Sequence, residues 1–206
     1  MAGSTTTRKP ANGGPERPDG HYPRHGLENR PTLGNPTGAD GNADIVLGAA
    51  VIAMGLVAGL YFFSLIAVMP ALTAADDRTL VDAMQQMIDK IENPAFFLVF
   101  LGAPALAAVA LAQARSAGSA KTARWIVAGL ALYTVMLVVT FAVHVPLNYD
   151  LRDAGDPARI ENLADVRDDF VTPWVAWEIV RTLVSIAAFA CLTWALVLRG
   201  RMGRAA

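Results

Sequence analysis

Four apolar runs, at about 45–69, 95–114, 124–146 and 171–198, fix the class of structure open to this chain. A hydrocarbon core about 30 Å thick is crossed by about 20 helical residues. Each run meets that length, the second with least margin. The runs are continuous and rich in Ala and Leu rather than alternating, so they predict helices and not barrel strands. Composition agrees: 54% of the 206 residues are hydrophobic, and the mean hydropathy is +0.38. The expected fold is all-α, a bundle of four transmembrane helices.

Residues 1–43 hold six of the twelve prolines, with Gly, Asn and Thr between them. So few apolar side chains cannot offset the entropy of ordering, which predicts a disordered tail. The domain reading is a tail over 1–43, a four-helix membrane domain over 44–199 and a short second tail over 200–206. The first apolar run is too long for the core of a signal peptide and reads as an uncleaved first span.

Lysine and arginine set the expected topology. The loop between spans two and three carries Arg115, Lys121 and Arg124, and the end of the chain carries Arg199, Arg201 and Arg204, both without acids. Residues 70–93 hold Asp76, Asp77, Asp82, Asp89 and Glu92 against Arg78 and Lys90. Residues 147–170 are acidic in the same way. Both termini are expected in the cytoplasm, with the protein multi-pass in the plasma (inner) membrane. Within the first acidic connection, Leu80, Val81, Met84, Met87, Ile88 and Ile91 recur at helical spacing opposite Asp82, Gln85, Gln86, Asp89 and Lys90. This predicts an extracytoplasmic amphipathic helix between spans one and two. A weaker pattern surrounds Ile160, Leu163 and Val166. Each half of the chain runs from a span ending at a proline (Pro70, Pro146) through an acidic connection to a span entered near another (Pro94, Pro173).

Several chemistries are disfavoured. A net charge of −1 gives no footprint for nucleic acid. The single cysteine, Cys191, rules out an intrachain disulfide and a cysteine-rich metal site. His21 and His25 lie in the tail, so a bis-histidine haem within the membrane lacks its second ligand. No glycine-rich phosphate loop, serine elbow or His-Glu-x-x-His pair occurs. No metal site is assigned and no cofactor is implied.

What remains is concentrated in the last span. Glu178 and Arg181 lie in an apolar run, where an unpaired charge costs about 2.5 kcal/mol or more. Their i, i+3 spacing lets them share one helix face. Counted at about 1.5 Å per residue from a boundary near residue 171, they lie roughly 10 and 15 Å deep. A structural ion pair and a ligand-contacting or catalytic pair are both open readings. His144 ends span three, and because spans three and four run antiparallel it can meet Glu178 across one cavity. Its imidazole suits proton transfer, and a headgroup anchor is the alternative. Tyr61 lies at the depth of Arg181 and needs a partner for its hydroxyl. Trp174 and Trp177 fit an aromatic belt or the wall of a flat ligand's site.

The same positions carry a resemblance. Phe141-Ala-Val-His144-Val-Pro146-Leu-Asn148-Tyr-Asp-Leu151 resembles the Val-Pro-Leu-Asn-x-x-Leu element of the anthrone oxygenase-like family of small four-helix membrane proteins. Trp174-x-x-Trp177-x-x-x-Arg181-Thr182 is similar to that family's last-span element. Gly59 to Leu72 resembles its first span, and Asn93-Pro94-Ala95-Phe96 resembles the start of its second. The likeness spans about residues 45–198. It implies a four-helix membrane bundle and, for some members, oxygenation of phenolic anthrones to anthraquinones. Asn148 and Arg181 carry over best; Glu178 stands where that pattern suggests Asn or His. From the residues and the resemblance together, His144, Glu178 and Arg181 are the expected catalytic residues. Tyr61, Asn148, Trp174 and Trp177 are the expected substrate contacts, and the ligand is a lipophilic aromatic or quinone-like molecule beside membrane lipid. A non-catalytic subunit with a membrane-protein partner, or a lipid-binding component, is the other reading.

Overall fold

A computed structural model describes residues 1–4 and 38–202, and the fold below is that of Gly38–Met202. Most of the tail expected over 1–43, with His21 and His25, lies outside the described residues, as does Arg204. Among the described residues there are helices and no strands. They are α1 (Gly38–Phe63), α2 (Met69–Thr73), α3 (Asp77–Ile91), α4 (Pro94–Ser116), α5 (Ala120–Val139), α6 (Val145–Asp153) and α7 (Leu163–Met202). Five-residue π turns, Ser64–Val68 and Thr140–His144, join α1 to α2 and α5 to α6. Among the described residues, four helical stretches are long and apolar enough to cross a membrane: Gly41–Thr73, Pro94–Ser116, Ala120–Asp153 and Leu163–Arg201.

Three of the expected boundaries are corrected. Spans one and three do not end at Pro70 and Pro146; both continue, to Thr73 and Asp153. A proline inside a helix lacks an N–H and its ring meets the carbonyl four residues back. Here the turn ahead of each proline widens instead of breaking. Met69 N–H bonds Ser64 O and Val145 N–H bonds Thr140 O, each five residues back. One extra residue per turn clears the ring and lets the helix go on. The last span likewise begins at Leu163 rather than near 171, so the weak pattern around Leu163 and Val166 is the first turn of α7, and only residues 154–162 form the loop.

The four spans pack in a ring, α1 beside α4 and α7, and α5 beside α4 and α7. Their core joins Leu47, Met54 and Tyr61 of α1 to Ala103, Ala107 and Ala110 of α4, with Ile126, Tyr133 and Met136 of α5 and Ala188 and Leu192 of α7. Small residues let helix backbones approach closely without a hydrophobic drive from lipid. The closest approach is at Gly129: a Cβ there would lie 2.2 Å from Leu192 Cδ1 and 3.2 Å from Ala188 O.

A second, smaller core caps one end. Leu80, Val81, Met84 and Ile88 of α3 are buried against Met69, Leu151, Phe170 and Trp174. This is the amphipathic helix expected from the sequence. Asp76 caps it by accepting from Thr79 N–H at 3.0 Å and from the Thr79 hydroxyl at 2.7 Å. Asn93 caps α4 on Phe96 N–H at 3.0 Å, with Pro94 in the first turn. The cap is tied down by polar contacts: Gln85 donates to Leu151 O at 2.8 Å, and Arg152 to Asp89 at 2.8 Å. Arg167 pairs with Asp77 and donates to Thr73 O at 2.6 Å.

Candidate functional site

The charged residues of the apolar runs meet where the bundle joins the cap. The π turn of span three leaves His144 at its last position, 1% exposed, and the pairing of α5 with α7 sets it against Glu178, which is 0% exposed. His144 Nε2 lies 3.5 Å from Glu178 Oε2. The same carboxylate oxygen accepts from Arg181 Nε at 2.8 Å and pairs with Arg181 Nη2. Arg181 is thus bound within its own helix, one turn on, as the i, i+3 spacing predicts.

Aromatic rings enclose the guanidinium. Arg181 Cζ sits 4.1 Å from the centre of the Tyr61 ring and 5.7 Å from that of Trp174, a cation–π arrangement that favours the charged arginine in a dry site. The Tyr61 hydroxyl points to Met136 Sδ at 3.7 Å. Trp174 stands edge-on to His144, ring centres 5.3 Å apart, and its indole N–H donates to Asn148 Oδ1 at 3.3 Å. Six of the seven expected site residues therefore form one connected group. Trp177 stands apart: it is 42% exposed, because the position before Glu178 falls about 100° around the helix.

Trp177 has a counterpart near the other end of α7. Trp177 and Trp194 are both exposed on α7, and their separation of 17 positions spans about 26 Å. That is close to the thickness of a hydrocarbon core, so the two mark opposite aromatic belts. Trp125, edge-on to Trp194 at 6.4 Å, joins the lower belt.

The cluster is incompletely satisfied. His144 Nε2, Glu178 Oε1 and Thr182 Oγ1 are buried without a hydrogen-bond partner. Burying a polar atom unpaired costs about 1 to 3 kcal/mol, so one on span three and two a turn apart on α7 mark a place with a task. Thr182 was not assigned a role from the sequence; its signals there are the i, i+4 spacing from Glu178 and its place after Arg181 in the last-span element. Below it the polar face ends at Ser185, whose hydroxyl donates to Arg181 O at 2.7 Å. Ala188, Leu192 and Ala195, all 0% exposed, close the rest of the interior.

The nearest described cleft lies between α6 and α7, about 240 Å³, floored by Leu147, Leu151, Val166 and Phe170 and rimmed by Asp150 and Asp169. Phe170 touches Trp174 at 6.0 Å between ring centres, so one indole separates the cleft from His144. Among the described residues no group of three or more His, Cys, Asp or Glu side chains is placed to hold a metal ion.

The class defined by this architecture is a multi-pass membrane protein, a four-helix bundle with a buried acid–base cluster under a helical cap. Residues 96–191 match the family described as anthrone oxygenase, the family that the sequence motifs resemble. The matched stretch runs from the first turn of α4 through the His144, Glu178 and Arg181 cluster. No curated protein and no solved structure matches the chain.

Proposed function

We propose that this protein is a membrane oxygenase that converts a lipophilic phenolic substrate of the anthrone type to a quinone. The observation that carries the reading is the convergence of His144, Glu178 and Arg181 in one buried cluster with acid–base atoms left unpartnered. In an anthrone the methylene flanked by aromatic rings is acidic, because its conjugate base is an aromatic phenolate. His144 Nε2 takes that proton, with Glu178 stabilising the imidazolium, and Arg181 stabilises the developing oxyanion. The carbanion reduces dioxygen and forms a C–O bond to it; loss of water from the resulting hydroperoxide leaves the carbonyl. The balance is CH2 + O2 → C=O + H2O.

The substrate reaches the cluster from the apolar cleft of α6 and α7, with Trp174 as the door and Asn148 as its latch. Both termini are cytoplasmic in this reading, with the cap on the outer face of the plasma membrane. A cysteine at position 158 in a Cys191→Ser background is then labelled by an impermeant maleimide in intact cells, and one at position 119 only after lysis.

The test is oxygen uptake by purified protein in mild detergent with anthrone. Expected are anthraquinone formation and its loss, by at least about a hundredfold, in His144→Ala. The competing reading is a non-catalytic membrane subunit, favoured by one observation: Glu178 is already paired by Arg181, itself enclosed by Tyr61 and Trp174. Absence of uptake, together with a stoichiometric co-purifying membrane protein, would decide for the subunit.

A further inference from the structure

We infer that Thr182 is a substrate-positioning residue. With His144 Nε2 and Glu178 Oε1, its hydroxyl forms a three-point seat for a single hydroxyl group.

The first observation is a break in a pattern. Hydroxyls in these apolar helices return their hydrogen bond to the carbonyl four residues back: Thr134 to Leu130, Thr140 to Met136, Ser185 to Arg181 and Thr193 to Phe189, all at 2.7–2.9 Å. That local bond is the ordinary fate of a hydroxyl in a membrane helix. Thr182, 1% exposed, does not make it, although the Glu178 carbonyl stands at the same spacing within α7; the other buried threonine hydroxyl without a partner, Thr122, lies in the first turn of α5, where the residue four back precedes the helix. The second observation is company. Glu178, one turn earlier on the same face, has Oε1 unpartnered while Oε2 takes both Arg181 bonds, and His144 Nε2, 3.5 Å from that Oε2, makes no hydrogen bond.

The three atoms differ in kind. Glu178 Oε1 can only accept, Thr182 can donate or accept, and His144 Nε2 does either according to tautomer. Their complement is an O–H that donates to the carboxylate and accepts from the threonine. A polycyclic phenol offers that hydroxyl on a flat apolar body, which matches the Trp174 edge and the apolar cleft beyond it. A water molecule offers the same hydroxyl without the body. The role in catalysis rests on the oxygenase reading; the seat itself does not.

The experiment measures binding, by equilibrium dialysis in detergent, of 2-naphthol and of 2-methoxynaphthalene, which has the same rings and no O–H. Expected for the wild type is a preference of about tenfold or more for the naphthol, the size of one hydrogen bond in a dry site. Thr182→Val, close in shape, should abolish the preference, and Thr182→Ser should restore it. Thermal denaturation checks that each variant is folded, and Thr182→Ala replaces the valine variant if that one is not. Equal binding of the two probes to wild type would leave only water for the seat and overturn the assignment; so would a preference that survives Thr182→Val. A preference for naphthol without oxygen uptake on any phenol would sink the oxygenase reading alone.

Discussion

At the scale of single residues the protein turns on one carboxylate. Glu178 is fully buried and neutralised by Arg181 at one oxygen. Removing a partner from a buried pair costs more than the pair contributes, because a bare charge is left behind. Arg181→Ala is therefore expected to lose about 3 to 5 kcal/mol of stability. Glu178→Leu with Arg181→Leu should recover most of that, as both charges are gone. Denaturation in detergent of the single and double variants measures the coupling, and a wild-type midpoint for Arg181→Ala would contradict it. The pair itself was legible in the sequence, since i, i+3 spacing on a helix is local geometry. Which oxygen stays free was not. That depends on Tyr61, which arrives from α1, and on Trp174, a turn before Glu178 on α7, which stand beside the guanidinium.

At the scale of elements, the prolines and caps decide. Pro146 forces the wide turn that ends at His144. Pro146→Ala returns an amide that can bond four residues back, which removes the extra residue and turns His144 about the helix axis. The expected outcome is a folded protein whose His144 imidazole 15N resonances move and no longer respond to Glu178→Gln; unchanged resonances would count against this account. On α3 the capping bonds matter. The Thr79 hydroxyl, and then the Thr79 amide, hold the Asp76 carboxyl below its ordinary value of 3.8. A carboxyl depressed on folding stabilises the fold above its unfolded value, and the effect is lost as pH falls through the lower folded value. Amide exchange at the start of α3 should therefore speed up as pH drops below about 3.8, after correction for intrinsic exchange, and Asp76→Ala should remove that dependence. Both proline positions were visible as sequence marks, yet they read as span ends. The rule that proline breaks a helix is local, and the widened turn that evades it holds only because the bundle and cap pack on both sides.

At the scale of the molecule, two cores share one seam. The α3 cap is held by Arg167, which reaches Asp77 and the Thr73 carbonyl. Arg167→Ala should open α3 locally by about 1 to 3 kcal/mol, seen as faster amide exchange over Asp77–Ile91 with the spans unaffected. Arg152→Ala should do less, since its partner Asp89 is exposed and solvent screens the pair. Uniform exchange across all helices in Arg167→Ala would mean that cap and bundle unfold together.

Sequence by itself determined the number of spans, their helical nature, the amphipathic α3 and the residues able to carry charge. Each follows from hydrophobic length or periodicity, properties read along one stretch of chain. Tertiary structure alone decided that His144 reaches Glu178, that Tyr61 stacks on Arg181, that Trp177 faces outward and that Thr182 is left without a partner. Those facts depend on which helices are neighbours and on the rotation of each about its axis. Packing of Ala-rich faces against α1 and α7, and one extra residue in the turn before Pro146, set both.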